Sequence, residues 1–293
     1  MFLCAGFSHS WGKTVKDPNV FLVADSLMAN GNFFEAAIAY ENIFYFSGNP
    51  QTRMKANLKR AKALGYQGEF GRAINDLQRS AHILTFPDLH FEVLFQMAFC
   101  DYMLGNYLQA LSRLKQLRHF YPQNSDYHDL LLLSSLAAIM AEDMELASES
   151  ASLLVTSGNF DTQAEERLLN EISILFDQRE LPKIRSEERA ANLSTFLPGA
   201  GHIYAGYPGR GFINAASQLV SLGLTVLMAY NGLYTSGFVM GLGMFQSFYF
   251  GGIRQASFLV HQRNLKEMGT YKELRKDFVI DIMESREAAS GTN

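Results

Sequence analysis

The residues of this 293-residue sequence best suited to chemistry are few: two cysteines, one histidine beside an apolar tract, and four amides inside it. Cys4 and Cys100 are too far apart for a disulfide framework, and neither sits in a Cys-x-x-Cys or Cys/His spacing that would hold a metal. Cys100 lies in a strongly apolar stretch, which favours a buried free thiol. His202 is the only group near the apolar tract that titrates around neutral pH. It stands in Gly199-Ala200-Gly201-His202-Ile203-Tyr204-Ala205-Gly206. A phosphate-cradling glycine loop would follow a strand and end in Lys-Ser or Lys-Thr, and this segment does neither. No nucleophile sits beside a base, and no pair of carboxylates shares an apolar setting. The chain therefore reads as a non-enzyme with no cofactor and no metal. A membrane enzyme or transport component acting near His202 stands as the alternative.

The net charge is −4 and 48% of residues are hydrophobic, but the two are segregated. From Gly211 to Ile253 there is no Asp, Glu, Lys, Arg or His. A concentrated basic face of the kind that binds phosphate backbones is missing, so nucleic acid is not an expected partner.

The charge-free tract holds two stretches, Phe212–Tyr230 and Tyr234–Ile253, each near the ~20 residues a bilayer-spanning helix needs. Asn231-Gly232 between them is a turn signal. The expected structure is a helical hairpin in a lipid bilayer; a buried hairpin in a soluble or lipid-anchored scaffold is the other reading. In the first helix Asn214, Gln218, Ser221 and Thr225 step by four, three and four and share a face. The second carries Gly237 and Gly241, a small-xxx-small pair of the kind that lets membrane helices approach. Folding the chain about residues 231–232 places Gln218 opposite Gln246, Ser221 opposite Gly241, and Thr225 near Gly237. That stripe reads as a packing interface, and a second copy of the chain is one partner such a hairpin could take.

Further upstream a motif recurs every 37 residues. Gly31-Asn32-Phe33, Gly68-Glu69-Phe70 and Gly105-Asn106-Tyr107 are in register. So are Ala36, Ala73, Ala110 and Ala147, and then Tyr40, Leu77, Leu114 and Ala151. Ala24, Ala61, Ala98 and Ser135 keep the same step upstream, and Pro50, Pro87 and Pro122 fall near repeat ends. In the fourth copy Glu142-Asp143-Met144 replaces Gly-x-aromatic. The pattern resembles the tetratricopeptide repeat: a small residue in helix A, glycine at the turn, then alanine and a large residue in helix B. The resemblance implies antiparallel helix pairs that bury their apolar faces on their neighbours. It also implies a groove on the A helices that binds a protein or peptide. Carried over by position, that groove presents Phe21, Asp25, Lys62, Tyr66, Phe95, Phe99 and Tyr102, with Met28 and Leu132 beside them.

Just before the apolar tract, Pro198, Gly199, Gly201, Tyr204, Gly206 and Arg210 resemble the Pro-Gly-x-Gly-x-x-Tyr-x-Gly opening of a family of small bacterial two-helix membrane domains. His202 stands where that family usually has Gln. Tetratricopeptide arrays joined to such a hairpin occur in bacterial envelope proteins, some of them described as insertion factors of the YidD type. No YidD-like domain is visible here. Tyr204 and Tyr207 suit the headgroup level and Arg210 suits lipid phosphate.

The expected fold is all-α: a tetratricopeptide-like solenoid over 19–178, a charged linker over 179–191, a two-helix membrane domain over 192–265 and an amphipathic tail over 266–293. Leu274, Phe278 and Ile282 mark the apolar face of that tail. Residues 1–18 begin with an apolar run that looks like a signal-peptide remnant, its start lying upstream. The expected place is a bacterial inner membrane, integral, and the expected role is a protein-interaction scaffold, in envelope or membrane-protein assembly. Arg210, Arg254, Arg263 and Lys266 flank the hairpin, and the positive-inside rule puts both its ends in the cytoplasm. A genuine signal remnant would put the repeats on the other side, so sidedness stays open.

Overall fold

The computed structural model describes residues 20–79, 86–122, 127–158 and 160–290. The apolar start of the chain and Cys4 lie outside the described residues. Among those described, every regular element is helical. The chain divides into two compact units, residues 1–177 with 276–293, and residues 178–275.

The first unit runs through α1 (Leu22–Ala29), α2 (Phe33–Phe46), α3 (Pro50–Tyr66), α4 (Phe70–Arg79), α5 (Pro87–Met103), α6 (Tyr107–Phe120), α7 (His128–Ala141), α8 (Met144–Thr156) and α9 (Thr162–Leu175). Each helix packs on the next, and α3 also meets α5 as α5 meets α7. The alanines explain how the helices come so close. Ala36, Ala73, Ala110 and Ala147 are each 0% exposed, and so are Ala61, Ala98 and Ser135. Tyr40, Leu77 and Leu114 fill the larger position beside them, also fully buried. Pro50 and Pro87 occupy the first turns of α3 and α5, where their missing N–H costs nothing.

One turn geometry recurs at the 37-residue spacing. Gly31, Gly68 and Gly105 take φ of 77°, 77° and 79°. The next residue's N–H reaches back five residues in each copy: Asn32 to Leu27 O, Glu69 to Leu64 O, Asn106 to Asp101 O. The glycine N–H itself bonds the carbonyl three back, so two of the orphan carbonyls of the helix end are satisfied. The fourth copy makes the same pair of bonds, Asp143 N to Ala138 O and Glu142 N to Ile139 O, without a glycine. Glu142 adopts φ 67°, the one non-glycine positive φ among the described residues. The geometry of the turn outlasts the residue that makes it cheap, at a cost of about 1–2 kcal/mol for a side chain in the left-handed region.

The second unit opens with a 3₁₀ turn (Gln178–Glu180), then α10 (Glu187–Phe196), α11 (Ala200–Ala205), α12 (Pro208–Tyr230) and α13 (Tyr234–Ser236). A π-helical segment, Gly237–Leu242, leads into α14 (Gly243–Ser290). α12 is long and apolar enough to cross a membrane, and 11% of its apolar stretch is buried within the protein. The second expected span is not a separate helix. It begins as α13, passes through the π segment and merges into the 48 residues of α14.

The tail is part of that same α14, and its buried face differs from the expected one. Val279 and Ile282 are buried, as are Tyr271 and Arg275, whereas Leu274 is 56% exposed. The buried series steps by four, four and three from Tyr271, which leaves Leu274 outside the covered face.

Candidate functional site

Two features stand out, one in each unit. In the first unit, α1, α3 and α5 line a groove with two adjoining cavities of about 500 and 550 Å³. Lys62 and Tyr66 border both, which makes the two continuous. The first is walled by Asp25, Met28, Phe33, Tyr40 and Lys59, and the second by Phe70, Phe95, Gln96, Phe99 and Met103. Of the residues expected in a groove, Asp25, Lys62, Tyr66, Phe95 and Phe99 line these cavities. Phe21 flanks them, 6.4 Å ring to ring from Tyr40. Tyr102 does not line them; its ring lies 5.6 Å from that of Tyr107.

The charges in the groove are already paired. The Tyr40 hydroxyl donates to Asp25 Oδ1 at 2.6 Å, and Lys59 Nζ donates to both Asp25 oxygens at 2.7 Å. Burial, and then the Asp25 carboxylate, push the Tyr40 hydroxyl well above its ordinary range, so it remains a donor. Lys59 also lies 5.0 Å above the Phe21 ring. Lys62 faces Glu92 at 3.6 Å. What remains for a ligand is largely aromatic and apolar: Phe33 stacked on Tyr66 at 4.7 Å, Phe70 edge-on to Phe99 at 6.4 Å, with Tyr66 68% exposed.

Sequence reasoning missed Lys59, Phe33 and Phe70 as groove residues. Phe33 and Phe70 were legible as turn aromatics of equivalent repeats, and that equivalence was the signal that could have put both at the groove. Lys59 carries no such signal, because its role depends on Asp25 being brought across from α1.

In the second unit the glycine-rich motif is a set of close backbone approaches. Gly199 and Gly211 face each other: a Cβ on Gly211 would lie 2.6 Å from Gly199 O, and one on Gly199 would strike Gly211 O. Gly199 and Gly206 take φ of 84° and 93° at the two ends of α11. Gly201 fits against Ala190 O, Ser194 Oγ and the Ala256 methyl, leaving no room for a side chain. At Gly206 the guanidinium of Arg263 fills that space, with Nη1 donating to Ala205 O at 3.2 Å. Arg185 donates to Tyr204 O, so two cations cap the last carbonyls of α11. Asn264 grips the backbone of Arg185 twice, accepting from its N–H at 3.0 Å and donating to its O at 2.8 Å. The segment read as a linker is therefore packed at Arg185.

His202 is fully buried within this knot. Its Nε2 pairs with Gln255 Oε1 at 3.2 Å, and its Nδ1 has no partner. Tyr207 and Arg210 remain at the surface, with the Arg210 guanidinium 5.3 Å above the Tyr207 ring. Among the described residues no group of His, Cys, Asp and Glu could hold a metal ion.

The polar stripe of α12 turns inward. Gln218 and Ser221 are 2% and 1% exposed. Gln218 donates to Asn214 Oδ1 at 2.9 Å, and Asn214 donates to Phe248 O at 3.2 Å. Ser221 and Thr225 donate to the carbonyls four residues back. Gly237 lies against Met228 and Thr225 O, Gly241 against Thr225, and Gly252 against Asn214. Gln246 is the exception. It was expected opposite Gln218, but it is exposed. Thr225 faces Gly241 where Ser221 was expected, which slides the second helix by about one turn. The turn is the cause. α12 ends at Tyr230, Gly232 takes φ 75°, and the next helix starts only after Leu233. The fold point therefore lies near Leu233, which moves the partners of Gln218 and Ser221 by about a turn, while Gly237 still meets Thr225 O as expected.

Comparison with family models, curated proteins and solved structures finds no match for this chain.

Proposed function

We propose that this protein is a membrane-anchored protein-interaction scaffold. A tetratricopeptide-like solenoid offers its A-helix groove to a protein or peptide, and the hairpin of α12 and the chain from Tyr234 to Ile253 crosses a bacterial inner membrane. The observation that carries this reading is the surface of α12. Ile213, Leu219, Val220 and Val226 are 68–69% exposed while every polar member of its stripe is turned inward or bonded to its own helix. A soluble core helix buries its apolar face and wets its polar one. α12 does the reverse, which suits hydrocarbon.

The groove supports the second half. Its acidic groups are held by Tyr40, Lys59 and Lys62, so the preferred occupant is a segment presenting apolar or aromatic side chains. His202 supports no catalytic role: it is sealed from solvent and its partner Gln255 is neutral.

The test is photo-crosslinking in the native membrane with a benzophenone amino acid at Tyr66. The expected result is a discrete adduct that is lost when Phe95→Ala and Phe99→Asp are added and the thermal stability of the chain is unchanged. An adduct that survives those changes, or none at all, rejects the groove as the binding surface.

A further inference from the structure

Gln246 is a polar side chain in an apolar region. It is exposed, and its amide makes no hydrogen bond among the described residues. Gly241 meets Thr225 and Gly252 meets Asn214, so the same register sets Gln246 level with Val220. Val220 is close to the middle of Pro208–Tyr230. On the membrane reading, which this inference rests on, Gln246 lies about 18 Å along α12 from Pro208, at the depth where water is scarcest. An unbonded amide there is costly.

The face that carries Gln246 is exposed at that level. Further along α14, α10 lies on the neighbouring surface: Ser257 Oγ donates to Glu187 O at 3.2 Å and Tyr249 Oη donates to Thr195 O at 3.1 Å. α10 ends at Phe196, one residue past the Thr195 carbonyl that Tyr249 reaches. Gly243, Gln246, Ser247 and Phe250 fall within about 100° of the helix circumference. All four are exposed, and a Cβ on Gly243 would meet nothing within 4 Å. The Ser247 hydroxyl is satisfied by Gly243 O at 2.9 Å, so it adds no competing demand.

We propose that this face of α14 packs on the same face of a second copy of the chain, with the two Gln246 amides bonded to each other. Symmetry selects the occupant. About a twofold axis along the bilayer normal, each residue meets its own copy at its own depth. A primary amide both donates and accepts, so it completes itself. A different partner would need a matching polar group at mid-membrane. Gly243 and Ser247 flank the amide and allow the backbones to approach.

The test uses the full chain carrying Cys4→Ser and Cys100→Ala, in vesicles of phosphatidylethanolamine and phosphatidylglycerol. Ser247→Cys should give a disulfide dimer on oxidation, and Leu219→Cys, exposed on α12, should not. Adding Gln246→Leu should weaken dimerisation, read by diluting the protein in lipid, about threefold to thirtyfold. Three results overturn the proposal. One is that Ser247→Cys crosslinks only as poorly as Leu219→Cys in protein that resists carbonate extraction. Another is that Gln246→Leu dimerises like the parent. Release of the protein by carbonate would instead remove the membrane reading itself, and this proposal with it.

Discussion

Gly241 lies against Thr225: a Cβ built on Gly241 would fall 2.8 Å from the threonine Cβ and 2.9 Å from its Cα. Backbone, and not only a movable side chain, stands in the way. Gly241→Ala should therefore push the π segment off α12 and destabilise the hairpin by about 1–3 kcal/mol. Thr225→Ala in the same chain should restore part of the loss, because it removes the hydroxyl and leaves the Cα. Protease resistance of the hairpin in detergent micelles measures both. A silent Gly241→Ala would mean that the two helices do not meet there.

The turn glycines give a prediction free of packing. A Cβ at Gly68 would meet nothing within 4 Å, so only its φ of 77° resists a side chain. Gly68→Ala should cost about 1–2 kcal/mol in urea unfolding, and Gly68→Asn distinctly less, since Asn tolerates the left-handed region. Equal costs for the two would show that something other than backbone conformation sets the penalty.

His90 should make the first unit sensitive to acid. Burial lowers its pKa, and its Nδ1 lies 2.6 Å from Tyr121 Oη. Below about pH 6.5 the unfolded chain takes up a proton that the folded chain resists. Its contribution is thus complete above that pH and is lost as pH falls through the lower folded-state value. His90→Gln should reduce the drop in urea midpoint between pH 7.5 and pH 5. An unchanged drop would assign the acid sensitivity elsewhere.

Cys100 should be inert. Burial pushes its thiol up to about 11, so at pH 8 roughly a thousandth is thiolate. Alkylation by iodoacetamide at pH 8 should be slow in the folded protein and rapid in urea. Fast reaction of the native protein would contradict the closed packing of α5 around it.

The alternation of small and large residues made the first unit legible. Ala36, Ala73, Ala110 and Ala147 can be aligned by eye because each copy solves the same close-packing problem with the same residue type. The left-handed turn was legible wherever glycine makes it, and invisible at Glu142, where neighbouring bonds impose it on a residue that resists it. The inward polar face of α12 was readable from spacing alone. The partner of that face was not, because cross-helix register depends on where the turn folds, and Leu233 displaced it by two residues. The Lys59–Asp25 pair and the buried Arg275, whose guanidinium lies over Tyr271, depend on tertiary neighbours that no local pattern announces.

The proposal that the hairpin crosses a membrane is tested most directly by sidedness. In a chain carrying Cys4→Ser and Cys100→Ala, single cysteines replace Tyr234, beside the turn, and Leu265, beyond the tract on α14; both positions are exposed, at 71% and 60%. A membrane-impermeant maleimide is added to spheroplasts expressing the full chain. A hairpin that crosses the bilayer predicts that one of the two cysteines labels at once and the other only after permeabilisation. Equal labelling of both from the same side would contradict it.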